Sequence, residues 1–506
     1  MPPVHGIRQR VGLLAPPLAA VGLWQFSGIA PDQPSVAAMV AVAVLMAGWW
    51  MTEALPIPAT ALLPVALFPL LGILDGRSTA SLYFNHIIFL FVGGFVFALA
   101  MQRWSLHRRI ALFIFGLFGT SPRRLLLGFM VATWFLSMWI SNTASTMMIV
   151  PMAMAVSGQV RERCGAESTR SFSVALLLGV AYSASIGGLA TLIGTPPNLS
   201  LTRILPILFP EAPELSFASW FAFAAPLSTT FLFVAWGVLS LLFLRSQPGF
   251  AVPADVLREE RALLGRPTPE ERVVLGLFAL LVAGWMFRGD IDLFGLRIPG
   301  WSGLLPRGEF IDDGTVAVVV ALLLFVLPAP TRPGERLMDW ETARDLPWGI
   351  VLLFGGGYAL ASGFKESGLS AWMGTQLTTL DGIPPLLLVV LICGALTFLT
   401  ELSSNTATTE MALPILGSMA VAIGDDPLLL MVPATLSASC AFMLPVATPP
   451  NAIAFGTGEL RIADMVRGGV LLNLTGVVLV TATVYLIGEA TLGIEPGVVP
   501  EWAGEP

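Results

Sequence analysis

Two four-residue words each occur twice in the chain. Ser141-Asn142-Thr143-Ala144 returns as Ser404-Asn405-Thr406-Ala407, and Thr195-Pro196-Pro197-Asn198 returns as Thr448-Pro449-Pro450-Asn451. The first word supplies hydroxyl and amide oxygens, neutral ligands that suit a hard, weakly held cation such as Na+. The second breaks a helix, because consecutive prolines remove ladder hydrogen bonds and push the preceding residue out of helical φ/ψ. Carbonyls ahead of each break are then free to meet a cation. The helix resuming after it aims N–H groups and a positive dipole end at the same place, which suits an anion. This is a chemistry of holding rather than of bond making. No GxxxxGK[ST] or HExxH occurs, and His5, His86 and His107 sit at the edges of apolar segments, where they form no metal site.

The missing charges sharpen that reading. No Lys or Arg lies between Arg124 and Arg161, and the single lysine, Lys365, lies outside both pairs of words. A buried dianion without a positive partner is very costly. Co-bound cations are the natural compensation, and they would couple the two cargoes electrostatically.

The elements that must position these words are themselves duplicated. The spacing of 263 positions that relates Ser141 to Ser404 also relates Gly93-Gly94 to Gly356-Gly357, Leu106 to Leu369 and Pro151 to Pro414. The Thr-Pro-Pro-Asn words are 253 apart, the first copy having a longer loop after its hairpin. An isolated Ser or Thr in an apolar helix usually bonds its own backbone or a neighbour. Several rare words repeating in order indicate an internal duplication, and the bland reading then loses most of its weight. The glycine pairs read as close helix packing. Glu401 and Glu410 flank the second tip without an acidic counterpart in the first, which suits bonding to backbone N–H groups better than proton carriage. Glu53 and His86 sit at span ends and read as interfacial.

The chain has 506 residues, 55% hydrophobic and 12% charged, and a mean hydropathy of +0.81. Soluble domains carry about 25% charged residues. The composition therefore excludes a soluble enzyme, a nucleic-acid binder and a disulfide scaffold, and indicates an all-α polytopic membrane protein. Cys164, Cys393 and Cys440 read as small core residues. The run from Val11 to Ile29 reads as a first span and not a signal peptide, since no small-residue cleavage pattern follows it. Further spans are expected at 35–52, 57–74, 85–102, 172–193, 217–244, 272–287, 314–330, 348–364, 428–447 and 468–490. The polar stretches Arg245–Arg272 and Arg288–Asp313 are loop-sized, so no large soluble domain is expected.

Two apolar stretches, 125–157 and 384–424, behave differently. The first is too long for one crossing of about 20 residues and too short for two. It is interrupted at Ser141–Thr146, and the second at Thr400–Glu410. Re-entrant hairpins fit, with breaks that face a site, because irregular backbone at membrane depth must be buried in protein or line a cavity. Basic residues divide about twenty to five in favour of the side holding Arg8, Arg10, Arg103, Arg108, Arg109, Arg123 and Arg124, which makes that side cytoplasmic. Five crossings separate equivalent elements, so the repeats are inverted and the hairpins open to opposite sides. Inverted repeats with interrupted helices near the midplane point to a secondary transporter.

At these residues the sequence resembles the divalent anion/sodium symporter family, the INDY-type dicarboxylate and citrate transporters, over essentially the whole chain. The resemblance implies eleven spans, two opposed hairpins and a homodimer in a bacterial-type inner or plasma membrane, N-terminus cytoplasmic and C-terminus outside. It implies an elevator: scaffold spans in 1–124 and 246–380, transport-domain halves in 125–245 and 381–506. One Na+ site would use Ser137, Ser141, Asn142 and Gly194, the other Thr400, Ser403, Asn405 and Ala447. Relatives often have alanine where Ser403 stands, and a backbone carbonyl serves either way. Substrate carboxylates would meet Asn142 and Thr143 on one side and Ser404, Asn405 and Thr406 on the other, with Thr195, Pro196, Thr448 and Pro449 completing the pocket. The function implied is uptake of a C4 dicarboxylate such as succinate, malate or fumarate coupled to Na+. A sodium-independent exchanger, and a cation/proton antiporter or anion channel on the same scaffold, are the alternatives. Hydroxyls and amides alone do not choose among dicarboxylate, citrate and sulfate.

Overall fold

A computed structural model describes residues 7–26, 28–119, 121–245, 264–293, 296–377 and 382–504. Two further basic residues of the side read as cytoplasmic, Arg258 and Arg261, lie outside the described residues, as does His5. Among the described residues the fold is all-α as expected, with one small hairpin in a loop, Ile291–Leu293 paired antiparallel with Leu296–Ile298. Among the described residues six helical segments are long and apolar enough to cross a bilayer: Pro34–Thr52, Gly76–Arg103 (interrupted by a turn at 82–85), Asn142–Glu162, Thr169–Gly188, Phe217–Phe243 and Ile462–Leu492.

An N-terminal span, α1 (Ile7–Phe26), precedes the first repeat and packs closely on its first helix, α2 (Pro34–Thr52), because Gly48 admits Pro16. The expected single span at 57–74 is instead two short helices, α3 (Ile57–Thr60) and α4 (Leu63–Leu71). Pro64 at the start of α4 explains the division, since it has no N–H to carry the ladder across 61–62. After α5 (Gly76–Ser81), α6 (His86–Arg103) is capped by Asn85, whose side chain accepts from Ile87 and Ile88 N–H groups. The short α7 (Leu106–Phe115) leads to the first hairpin, α8 (Pro122–Ser137) and α9 (Asn142–Cys164). Next come α10 (Ala166–Gly188), which is almost wholly enclosed by protein, the resumed helix α11 (Pro196–Leu208) and α12 (Phe217–Phe243).

The second repeat repeats this order. Helix α13 (Pro269–Met286) starts in a full capping box from Thr268 and Glu271, and α14 (Asp313–Val326) lies against α6. Then follow α15 (Trp340–Ala343), α16 (Trp348–Glu366) and α17 (Leu369–Leu377). The second hairpin is α18 (Pro385–Thr400) and α19 (Asn405–Ala422). It is followed by α20 (Pro427–Ala438), a resumed helix α21 (Pro449–Gly456) and the long α22 (Ile462–Leu492). The expected span 428–447 is helical only to Ala438, the remainder being irregular backbone inside the protein.

The glycines pack as their spacing suggests. A Cβ on Gly93 would stand 2.6 Å from that of Ala317, and one on Gly356 would stand 2.6 Å from the Ala61 carbonyl oxygen. Ion pairs join the two repeats at one end: Arg161 to Glu459 at 2.5 Å and Arg170 to Asp464 at 2.8 Å. Partly exposed pairs of this kind contribute about 0–1 kcal/mol each, so they orient the ends more than they stabilise them. Cys393 and Cys440 are buried free thiols among apolar neighbours.

Candidate functional site

Each hairpin tip is made by a serine that caps the returning helix. Ser141 Oγ accepts from the Ala144 N–H at 3.2 Å, and Ser404 Oγ from the Ala407 N–H at 3.5 Å. This moves the breaks from where the sequence suggests. They fall at 138–141 and 401–404, just before Asn142 and Asn405, and the threonines that follow lie in the first helical turns. Serine satisfies orphan N–H groups at a helix start, so a Ser-Asn-Thr word begins a helix instead of interrupting one.

The asparagines at these starts point back to the helix behind. Ser137 Oγ lies 2.5 Å from Asn142 Oδ1 and donates to the Ala184 carbonyl at 2.7 Å. Thr400 Oγ1 repeats the arrangement, 2.7 Å from Asn405 Oδ1 and 2.9 Å from the Ala438 carbonyl. With its amide turned to donate, Asn142 Nδ2 reaches the carbonyls of Gly194 (3.2 Å) and Ala184 (3.1 Å). Turned the other way, its oxygen joins Ser137 Oγ and those two carbonyls in a four-oxygen cluster. Such a set of neutral oxygens suits a hard monovalent cation and neutralises nothing by itself.

The carbonyls before the breaks are less free than consecutive prolines suggest. Asn198 Nδ2 donates to Gly188, Leu189 and Thr191 carbonyls at 3.2, 3.3 and 2.8 Å. Asn451 Nδ2 donates to those of Ala441 and Leu444 at 3.1 and 3.0 Å. The last residue of each Thr-Pro-Pro-Asn word is thus a clamp on the loop ahead of it, a role that its type permits but its position alone does not reveal. The Gly194 carbonyl lies outside this clamp. Ser403 spends its hydroxyl on Leu399 O and Thr408 Oγ1, so only its backbone carbonyl remains for a cation.

One cavity of about 480 Å³ lies between the two tips. Asn142, Thr143, Thr195, Pro196, Ser404, Asn405, Thr406, Thr448 and Pro449 all line it. So do Ser141, Gly194, Ser403 and Ala447, whereas Ser137 and Thr400 stand behind their asparagines, fully buried. The resumed helices α11 and α21 start at its wall, and Thr448 Oγ1 caps the latter through the Asn451 N–H at 3.3 Å.

Glu401 holds the second tip. Its carboxylate accepts the N–H groups of Phe442, Met443 and Leu444 at 2.8, 2.8 and 2.9 Å and the Asn473 amide at 2.7 Å. In the first repeat the matching junction uses a neutral contact, Thr191 Oγ1 to the Met138 carbonyl at 2.5 Å. Glu410 does not bond backbone N–H groups as expected. It is buried at the α19–α16 seam, its Oε1 2.5 Å from Ser200 Oγ.

Two charged residues of the cavity wall have no signal in the sequence. Arg8 and Glu53, both exposed, stand at its mouth with Pro347 and Gly349. Arg8 Nη2 donates to the Met51 carbonyl and, at 2.8 Å, to the Leu402 carbonyl of the second tip. It is the single basic residue lining this cavity among the described residues. It comes from the start of α1, far from either word in sequence, which is why motif spacing misses it.

Residues 22–491 match the sequence profile of the sodium:sulfate symporter transmembrane region. The sodium-dependent dicarboxylate transporter SdcS of Staphylococcus saprophyticus is 42% identical over 97% of this chain and 93% of its own length. SdcS of Staphylococcus aureus is 43% identical over 90% of this chain and 87% of its own. Among solved structures, the Neisseria gonorrhoeae antimetabolite efflux pump MtrF superposes with a TM-score of 0.54 at 14% identity, covering 82% of this chain and 84% of its own. The Alcanivorax borkumensis transporter YdaH superposes with a TM-score of 0.54 at 15% identity over 84% and 88%. These two likenesses concern the fold alone. Profile and relatives extend across both tips, both breaks and the cavity between them, and on that match the chain belongs to the sodium:sulfate symporter family, the divalent anion/sodium symporters.

Proposed function

We propose that the protein is a secondary transporter that couples inward Na+ movement to uptake of a C4 dicarboxylate. One observation carries the reading: two equivalent asparagine-centred oxygen sets, one per repeat, flank a single cavity walled by hydroxyls, amides and helix starts. The naming of the 42–43% identical relatives as sodium-dependent dicarboxylate transporters supports it. Na+ in the two sets supplies the positive charge that the tips lack, and the dianion's carboxylates meet Asn142 and Thr143 on one side and Ser404, Asn405 and Thr406 on the other.

In this reading the N-terminus is cytoplasmic, the C-terminus is outside, and the cavity mouth at Arg8 and Glu53 opens to the cytoplasm. The hairpins with α10, α11, α12, α20, α21 and α22 form the moving half, and the remaining spans of an eleven-span chain form the scaffold of a homodimer. Cross-linking in membranes at low protein density tests the dimer, and cysteine labelling of the two termini from either side tests the orientation.

Proteoliposomes test the coupling. Radiolabelled succinate accumulates under an inward Na+ gradient and not under an equal K+ gradient, with an empty lumen. Equal uptake in both salts rejects the symport. Uptake that appears only after preloading with succinate establishes exchange in its place.

Arg8 adds a side-specific expectation. It meets the substrate only when the cavity faces the cytoplasm, since it belongs to the scaffold. Arg8→Gln therefore raises the half-saturating succinate concentration for efflux by about tenfold, the effect of losing one exposed charge-assisted hydrogen bond of about 1.4 kcal/mol. Uptake measured from the outside keeps its wild-type KM. Equal changes on both sides exclude this role.

A further inference from the structure

Glu410 is an ionisable residue that the transport reading leaves without a task. It lies in the middle of α19 with no exposed surface, and its Oε2 has no hydrogen-bond partner. Room for it exists because Gly357 of α16 has no side chain: a Cβ there would stand 1.7 Å from that oxygen. The carboxyl is therefore seated in a notch between a helix of the moving half and one of the scaffold.

The hydrogen bonds around it identify its protonation state. Glu410 Oε1 and the Pro196 carbonyl oxygen lie 2.5 and 3.3 Å from Ser200 Oγ. The Ser200 hydroxyl has one hydrogen to give. If the carboxyl is ionised, that hydrogen is its single hydrogen bond, Oε2 is unserved and a bare charge lies in a dry seam. A neutral acid removes the charge: its O–H donates to Ser200 Oγ, and the serine hydrogen turns to the Pro196 carbonyl beside the Ser200 N–H of the α11 ladder. No cation offsets the alternative. Tyr358 of α16 is the titratable neighbour, its hydroxyl 3.5 Å from the Leu199 carbonyl. Arg203 stands one turn beyond Ser200 on α11, and Lys365 is held by the Ile207 carbonyl at 3.0 Å towards the end of α16. Glu366 ends that helix, Glu401 ends α18 against backbone N–H groups, Asp426 caps α20 and Glu53 follows α2, while α17 contributes no ionisable group. No ion pair reaches Glu410 among the described residues. Burying an uncompensated carboxylate at such a place is costlier than seating the neutral acid there.

We propose that Glu410 is a proton-binding site: in this conformation it is the neutral acid, joined through Ser200 to the Pro196 carbonyl at the first break. Binding is the simple addition of H+ to the carboxylate, with no further reactant. Ionisation reverses the Ser200 hydrogen bond and places a charge against α16, so it disfavours the seated arrangement. External pH thereby acts on the transporter through a group outside the cavity. The uptake arm of the test rests on the symport reading, and the spectroscopic arm does not.

The test is an infrared pH titration of the purified full-length protein, with symmetric pH between about 6 and about 9, the interval in which fully buried carboxyls of other proteins titrate. Wild type shows a protonated-carboxyl C=O band at neutral pH that fades as pH rises, and Glu410→Gln lacks it. Ser200→Ala removes the bonding partner and shifts the same band to higher frequency, which keeps the test decisive if Glu410→Gln does not fold. In vesicles with equal pH on both sides, sodium-driven succinate uptake by wild type falls several-fold across the interval, and Glu410→Gln uptake, whatever its level, is flat. A band absent at neutral pH, a band unmoved by Ser200→Ala, or a wild-type pH profile in Glu410→Gln overturns the proposal. Absence of sodium-driven uptake in every variant would instead strike the symport reading and leave the infrared result standing.

Discussion

Asn142→Ala and Asn405→Ala each lose sodium-driven succinate uptake while the protein remains folded. Each substitution removes the amide at the centre of one oxygen set and leaves the partner hydroxyl, Ser137 or Thr400, bonded to its second acceptor, the Ala184 or Ala438 carbonyl. The hydroxyls are therefore not orphaned, and the damage to stability is small. A hydrogen bond or ligand contact to a charged group contributes about 1.5–3 kcal/mol, so the half-saturating Na+ concentration rises about ten- to hundredfold. Because each set lies within one repeat, each single variant weakens one of two sites. The steepness of the Na+ dependence falls with the apparent affinity. Uptake against Na+ concentration, together with the Na+-induced rise in melting temperature, reads both effects. Wild-type Na+ dependence in both variants would remove the asparagines from the cation sites.

Glu401→Ala has the largest expected effect on stability. It strands the N–H groups of the half-buried Met443 and Leu444 and the amide of the buried Asn473, and leaves the Phe442 N–H only its longer bond to Asn473 Oδ1 at 3.2 Å. Each unsatisfied group costs about 1–3 kcal/mol, and some regain water or a neighbour, so a loss of about 3–5 kcal/mol is expected. That is a large share of the stability of an ordinary domain. Glu401→Gln keeps one acceptor but turns an NH2 towards N–H groups, and falls between. Thermal unfolding in detergent measures the order wild type, Gln, Ala. An alanine variant that melts with wild type would mean that this junction is held elsewhere.

Much of this site was legible because its two halves share their words. Asn142 and Asn405 were identifiable as equivalent before any geometry, and so were the proline breaks, since Pro-Pro leaves few backbone choices. The position of the hairpin breaks was not. A Ser-Asn-Thr word reads as polar punctuation, yet serine at its head caps and starts a helix, which moves the turn to Met138–Ile140 and Glu401–Ser403. The short helices α3 and α4 were hidden by an apolar run whose prolines are spaced loosely enough to pass for one span. Asn198 and Asn451 were visible as residues but not as clamps, because their carbonyl partners lie up to ten positions back in irregular backbone. Arg8 shows the firmest limit: a side chain on the first helix reaches Leu402, and nothing local records a contact across 394 positions.

The placement of the oxygen sets bears on how the protein is made. Ser137, Asn142, Ala184 and Gly194 all belong to the first repeat, and Thr400, Asn405 and Ala438 to the second. A ribosome that has delivered the first half has already delivered every oxygen of one proposed cation site, whereas the cavity needs residues from both halves. A chain stopped midway, or a lone first half, would hold an ion with no cargo beside it. The unfinished molecule is thus barred from moving dicarboxylate by its own layout, before any quality control acts on it.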